Sequence, residues 1–469
     1  MTRHAWACVI LLLASCRVSV PIQKEEAFHS AVEAKVEESP TRAASGAWAF
    51  LAAADPDDLR YDRALLLLGQ SLEEMELDWA AGMVFRDISQ ARRNMELLPQ
   101  ALRGLERVVG TGVYDEDLLI TGFLSAEEFG WVPEDVQAFV DYHRGVDLAR
   151  RGSDAWADAV FAKLPSDSPY AARAEYVRAV RFVAEGEDAE AIASLEGLAD
   201  HDDLPSDLAQ EVERSLARLA FEEQRFEDAL AHFQTLREQA PDDPEILLET
   251  AWTEFYLGDS RKTLGLLIAL DAPVHQHYIS PERYLLEALA LRRLCQFGAA
   301  REAAVRLRRK HGGSLDALAK GKLPVEVPEL HTAARLRGRS SRNARFTDRL
   351  QWERDRLAAL RIDDGLRAHL DDLYDRGLVE AQRRERAEIG RDVDALAEEL
   401  LGAEEGVRLI VHELGVSLLR GRRRPPGVAE QPAVEVPLSG ERVFFPFTGE
   451  YWTDEMDDLV VVAEDRCVD

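Results

Sequence analysis

The chain has 469 residues, 46% of them hydrophobic, which is enough apolar side chain for two or three packed domains and excludes a wholly disordered protein. Its formal net charge of −30 excludes nucleic acid as a natural partner, because such a surface repels phosphates instead of releasing their counterions. The same charge tells against direct adsorption to anionic lipid, and the excess of Arg over Lys reads as codon bias, not as a binding signal.

A polar, basic start with Arg3 and His4 runs into an apolar segment, Ala7 to Ala14, of signal-peptide length and too short to span a bilayer as a helix. The segment closes on Leu13, Ala14, Ser15 and Cys16. This order resembles the lipobox of bacterial lipoproteins, in which small residues admit the signal peptidase and the Cys thiol is lipidated before cleavage. The resemblance implies a signal peptide over residues 1–15, lipidation at Cys16 and a tether over 16–45; an ordinary secretory signal with a chance Cys is the other reading. Acyl chains contribute about 0.8 kcal/mol per buried methylene, so those implied by the family's chemistry would hold the protein on a membrane without a spanning helix. By the sorting rule of such families, Arg17 after the Cys, in place of Asp, favours the outer membrane with the body facing the periplasm. Cys8 leaves with the signal and Cys16 carries lipid, so only Cys295 and Cys467 remain to pair in an oxidising compartment. Their positions, one inside a helical repeat and one at the extreme C-terminus, argue against a bridge.

Residues 46–319 show self-similarity at a fixed period. Gly145, Leu148, Gly152, Ala157, Phe161 and Leu164 are followed 34 residues later by Ala179, Phe182, Gly186, Ala191, Leu195 and Leu198. The pattern returns as Ala217, Ala220, Phe226, Ala229, Phe233 and Pro241, then as Ala251, Gly258, Leu267 and Leu270, and more loosely as Ala288, Phe297, Ala300 and Leu307. An earlier copy holds Gly69, Leu72, Ala81, Phe85 and Ile88, and a blurred one lies between, around Leu105, Val108, Gly112 and Tyr114. About six to seven such units resemble the tetratricopeptide repeat. The spacing has a mechanical cause: small residues let two helices cross closely, and the large residue four positions after the second small one fills the gap to the next pair. A Gly turns the chain between the helices, and Cys295 stands where a turn Gly is usual. Apolar residues at helical spacing also suit an ordinary bundle core, but the shared register favours repeats.

From about Lys320 the composition changes. Pro324 and Pro328 break helix, and Arg335, Arg337, Arg339, Arg342 and Arg345 make a basic island, so 320–345 reads as a linker whose charges are chiefly a solvated face. Over 346–424 two helical patterns follow. Ile389, Val393, Leu396, Leu400, Ala403, Val407, Ile410 and Leu414 form an a/d seam that needs a facing helix. The stretch from Phe346 through Leu350, Leu357, Leu366 and Leu370 to Leu378 is the nearest candidate, giving a hairpin joined between Gly377 and Gly390; a coiled-coil dimer uses the same pattern. In 425–469, Val443 to Phe447, Tyr451-Trp452 and Leu459 to Val462 read as a small β-ribbon. Its aromatic cluster of Phe444, Phe445, Phe447, Tyr451 and Trp452 suits a staple on the chain's own helices or an interaction hot spot.

No Gly-rich phosphate loop, Ser elbow or catalytic Cys signature is present, so the sequence points to no catalytic residue and no cofactor. His275 and His277 lack a third ligand and read as surface histidines, His412 lacks a second His one turn away, and no metal site is predicted. Acidic pairs such as Asp242-Asp243, Asp363-Asp364 and Asp371-Asp372 suit helix starts or polar faces. The expected fold is all-α, a solenoid followed by a helical hairpin or coiled coil and a β-ribbon. Lipobox, repeats and C-terminal region together resemble the repeat-containing outer-membrane lipoproteins common in myxobacteria. The resemblance implies a lipid-anchored periplasmic scaffold, not an enzyme, that binds other envelope proteins through its repeat groove in motility, secretion or outer-membrane biogenesis. An envelope hydrolase with a site beyond Lys320 and a purely structural spacer are the alternative readings.

Overall fold

The computed structural model describes residues 24–126, 132–201, 203–241, 243–275, 278–421, 423–425, 427–428, 430 and 459–468. The signal segment with Cys16, and the aromatic cluster from Phe444 to Trp452, lie outside the described residues. Among the described residues the protein is all-α, with twenty helices and no strand. Two compact units share the chain, one of residues 1–174 and 342–386 and the other of 175–341 and 387–469.

In the first unit α1 (24–36) and α2 (Pro40–Ala53) turn at Glu38, and α3 (Tyr61–Glu74) and α4 (Asp78–Ala91) turn at Glu76. Next, α5 (Leu98–Gly110) turns at Gly112 into the short α6 (Glu116–Leu119) and α7 (Phe123–Ala126), and α8 (Glu134–Arg150) turns at Gly152 into α9 (Asp154–Phe161). The second unit takes residues 175–185 of α10 (Pro169–Glu185), which turns at Gly186 into α11 (Asp188–Ala199). There α12 (Ser206–Glu222) and α13 (Phe226–Gln239) turn at Gln224, α14 (Pro244–Leu257) and α15 (Ser260–Ala269) at Gly258, and α16 (Glu282–Arg293) and α17 (Phe297–Ala319) at Cys295.

Each of these turn residues has positive φ, from 50-odd to 95°. That conformation reverses the chain within three residues and lets the next N–H return to the helix it has left: Leu77 to the Leu72 carbonyl, Ser153 to Leu148, Glu187 to Phe182, Arg225 to Ala220, Asp259 to Glu254 and Gln296 to Leu291. Glycine adopts it freely. Glu76, Gln224 and Cys295 adopt it with side chains attached, at about 1–2 kcal/mol each.

Small residues set how closely each pair packs. A Cβ on Gly69 would lie 2.7 Å from the Phe85 ring and one on Gly104 2.5 Å from it, so Phe85 is clasped between its own pair and the next. Phe161 meets Gly145 in the same way, at 2.2 Å from the Cβ position. Ala81, Ala157, Ala191, Ala217, Ala229, Ala251 and Ala300 are fully buried.

The C-terminal helices depart from the sequence reading. After α18 (Pro328–Ala334) come α19 (Gly338–Ala359) and α20 (Asp364–Leu419), which runs unbroken through Gly377 and Gly390. The turn therefore falls at 360–363, where the Asp363 carboxylate accepts from the N–H groups of Gly365 and Leu366 at 2.8 and 3.0 Å and caps α20. Gly377 serves packing instead: a Cβ there would lie 3.0 Å from Trp79 Nε1. Phe346, Leu350, Leu366, Leu370 and Leu378 join the first unit's core with Phe50, Leu72 and Phe139. The a/d seam does not face them. In the second unit Ile389, Val393, Leu396, Leu400 and Val407 pack with Ile279, Leu307, Leu315 and Leu330, and Ile410 and Leu414 with the core of α14 to α17. Within the expected linker, Arg337 pairs with Glu399 at 2.9 Å.

No strand forms over Leu459 to Val462; the segment is extended and lies on helices. Val461 donates to the Arg261 carbonyl at 3.2 Å, Arg261 Nε to Ala463 O at 2.8 Å, and Arg466 N to Leu294 O at 2.9 Å. Gly265 permits the approach, since a Cβ there would lie 1.7 Å from the Leu459 carbonyl oxygen. Cys295 and Cys467 are joined in a disulfide, against the sequence reading, because the returning tail brings residue 467 to the α16–α17 turn. Arg424 pairs with Asp465 at 3.0 Å beside it.

Candidate functional site

Three of the places that gather titratable or aromatic side chains among the described residues are candidate sites. The first, in the first unit, surrounds His143 with Glu116, Asp147 and Arg150, but its space of about 10 Å³ holds no more than one water. Burial, with Arg150 and Arg173 adding repulsion, holds the His143 imidazole down at about 3, so it is neutral at ordinary pH. Burial pushes the Glu116 carboxyl up.

The second is a closed polar knot in the same unit. Glu353 is 0% exposed and accepts hydrogen bonds from the Tyr114 hydroxyl, the Tyr374 hydroxyl at 2.7 Å, the Trp79 N–H at 3.1 Å and Arg349 Nε at 3.2 Å. The Trp79 N–H belongs to the first turn of α4, whose positive end favours a carboxylate. Arg349 also pairs with Asp78 at 2.8 Å. Desolvation nevertheless wins: it raises the Glu353 carboxyl to about 7, against the downward pull of the tyrosine bonds and Arg349. With both carboxylate oxygens engaged and Glu353 fully buried, the knot fastens α4, α19 and α20 together.

The third is open. In the second unit a groove of about 390 Å³ is bordered by α12, α14 and α16, the first helices of three successive pairs, with Phe233 of α13 beneath. On α12, Phe221 and Glu222 stand one turn after Arg218, at i+3 and i+4, and on α14 Glu249, Trp252 and Tyr256 follow at i, i+3 and i+7, so each set forms one stripe. The opposite face of α14 buries Ile246, Leu247, Ala251 and Phe255, which fixes the stripe's direction. Asp243 caps α14 through the N–H groups of Glu245 and Ile246, and Gly258 ends it.

Arginines brace the groove. Arg214 reaches from α12 to Asp243 at 2.6 Å, and Arg218 to Glu249 at 2.7 Å. Burial raises the Glu249 carboxyl while Arg218 opposes the shift. Along the wall, Tyr256 stacks on Phe226 at 5.0 Å and 9° and lies 6.0 Å from Trp252 at 27°, while Phe221 meets Tyr256 edge-on at 5.5 Å. Tyr256 is 48% exposed, and Glu222 and Glu282 are exposed at the rim. The surface is concave and aromatic, with one Arg and three carboxylates at its border.

Of the residues singled out from sequence, Cys16, Asp242 and His277 lie outside the described residues. His275 is buried, not at the surface: the 3-10 turn Pro273–His275 folds it under. His412 is exposed on α20, Asp243 and Asp363 cap helices, and Asp372 is exposed on the polar face of α20. Sequence reasoning overlooks the groove aromatics. Their signal is Trp252 and Tyr256 falling between the repeat positions Ala251 and Gly258, on the face the period leaves free. No protein-family model matches the chain, and no curated protein is found to be similar to it.

Proposed function

We propose that the protein is a lipid-anchored periplasmic scaffold whose helix pairs build a tetratricopeptide-like solenoid, and that the groove of α12, α14 and α16 holds a segment of a partner protein. The observation that carries this reading is that three successive pairs contribute their first helices to one open aromatic surface. The recurring left-handed turns and the Gly–Phe clasps at Gly69 and Gly145 support the repeat, since both return in step with the helix pairs. Anchoring rests on the residue order Leu13-Ala14-Ser15-Cys16. The scaffold performs no chemistry of its own; it holds others in place.

A photo-crosslinking amino acid at Tyr256, in cells, tests the groove. The reading expects discrete covalent adducts that disappear when Trp252 is also replaced; their absence at Tyr256 and presence at an exposed control such as Trp156 would overturn it. Metabolic labelling with a fatty-acid analogue tests the anchor, and label retained by Cys16→Ser would overturn that part. Should one substitution of a titratable residue beyond Lys320 abolish the cell phenotype with partners still bound, the hydrolase reading replaces the scaffold.

A further inference from the structure

The groove's charge is not balanced. Its border carries the carboxylates of Glu222, Glu249 and Glu282 against the single guanidinium of Arg218, and that cation is already committed to Glu249 at 2.7 Å. Arg337 also acts on Glu282 but is committed to Glu399 at 2.9 Å, so among the described residues two exposed carboxylates, Glu222 and Glu282, stand beside the Trp252 and Tyr256 rings with no cation placed over them. The same aromatic cluster shows what fits such a face. Phe255, edge-on to Trp252 at 5.9 Å and to Tyr256 at 5.7 Å, carries the Arg293 guanidinium 3.4 Å over its ring centroid, with Arg293 also donating to the Phe255 carbonyl. A ring quadrupole attracts a cation most where nearby carboxylates add to its field.

We infer that the occupant of the groove is a cationic segment: an extended stretch of a partner protein that lays an Arg or Lys side chain across Trp252 and Tyr256, between Glu222 and Glu282, and a neighbouring apolar side chain against Phe221 and Phe233. The inference rests on the reading of the groove as a partner site and adds the chemistry of what enters. A chain of net charge −30 would further draw basic segments toward it by long-range attraction.

Fluorescence anisotropy with short labelled peptides tests it on the full chain. One peptide alternates Arg with Leu, a second replaces each Arg by Gln, and a third by Glu. The Arg peptide is expected to bind about tenfold tighter than the Gln peptide, with the Glu peptide weaker still. The double variant Glu222→Gln, Glu282→Gln should lose most of that preference and most of its salt dependence between about 50 and 500 mM NaCl. Tyr256→Ala, at an exposed position, should weaken the Arg peptide several-fold while the protein still unfolds cooperatively with only a small fall in melting temperature, so loss of binding is not loss of fold. If the three peptides bind equally and Tyr256→Ala weakens all of them, the groove remains a partner site and the cationic inference falls. If none binds, or Tyr256→Ala changes nothing, the groove reading falls with it.

Discussion

Two clusters of this molecule are built from the same parts and do opposite things. In the first unit Trp79, Tyr114, Phe346 and Tyr374 surround the carboxylate of Glu353, and each hydrogen bond the carboxylate accepts comes from that unit. In the second unit Phe221, Trp252 and Tyr256 stand beside Glu222, Glu249 and Glu282, with Tyr256 about half exposed. The difference is closure. A buried carboxylate must find its donors within the fold, and finding them makes it a rivet; the exposed carboxylates of Glu222 and Glu282 can be hydrated and need none.

Glu353→Ala is the harshest way to break this contrast. It strands the Tyr114 and Tyr374 hydroxyls and the Trp79 N–H and leaves Arg349 short of a partner, and should cost about 3–5 kcal/mol in urea unfolding of the first unit. A loss below about 1 kcal/mol would show the knot to be dispensable. Titration sharpens the same point. The folded state holds the Glu353 proton at about 7 against an ordinary 4.5, so it binds that proton more tightly than the unfolded chain does. The stabilisation is complete below pH 4.5 and is lost as pH rises through 7, about 3 kcal/mol in all. His143, held at about 3, works in the opposite sense and costs stability as pH falls below 6.5. Because Glu353→Gln leaves His143 untouched, the difference between wild-type and variant unfolding energies at pH 4.5 and 8 isolates Glu353; an unchanged difference would refute the shift.

Ala191→Leu comes next, at about 1–3 kcal/mol, because Ala191 has no exposed surface and its crossing has no room for three more carbons. A thermal melt matched to that of an outward control would mean the register is wrong. Smallest is Tyr256→Ala, expected below about 1 kcal/mol by thermal melt, since the ring trades contacts with Phe226 and Phe221 for water already touching half of it. A loss as large as that of Glu353→Ala would make the groove a core and erase the contrast.

The close packing within helix pairs is legible in residue size. Gly69 lies against Phe85 and Gly145 against Phe161, a small residue on one helix making room for a large one on the next. The turns are less legible: Gly152, Gly186 and Gly258 announce themselves, but Glu76 and Gln224 take the same left-handed conformation because the packed helices on either side impose it. Gly377 and Gly390 suggest a break that α20 ignores, since a glycine inside a long, well-packed helix costs only about 1 kcal/mol. Asp363, immediately before the helix start, is the better signal. The disulfide and the tail's bed on α15 to α17 depend on contacts across 172 residues, which no local pattern encodes. The groove stays hidden for another reason: periodicity reports the buried face, and Trp252 and Tyr256 lie on the other.

The bond between Cys295 and Cys467 also sets an order of events in time. A ribosome adding about 5–20 residues per second makes Cys295 some 10–30 s before its partner, from the 172 residues that separate them. Throughout that interval the thiol sits in a turn that its side chain already strains, and α20 must be made before the loop can close. Any chain halted short of residue 467 therefore keeps the Cys295 thiol unpaired, and a thiol label found by peptide mapping at position 295 in stalled chains but not in bridged ones, with Cys8 and Cys16 scored separately, would report closure of the loop.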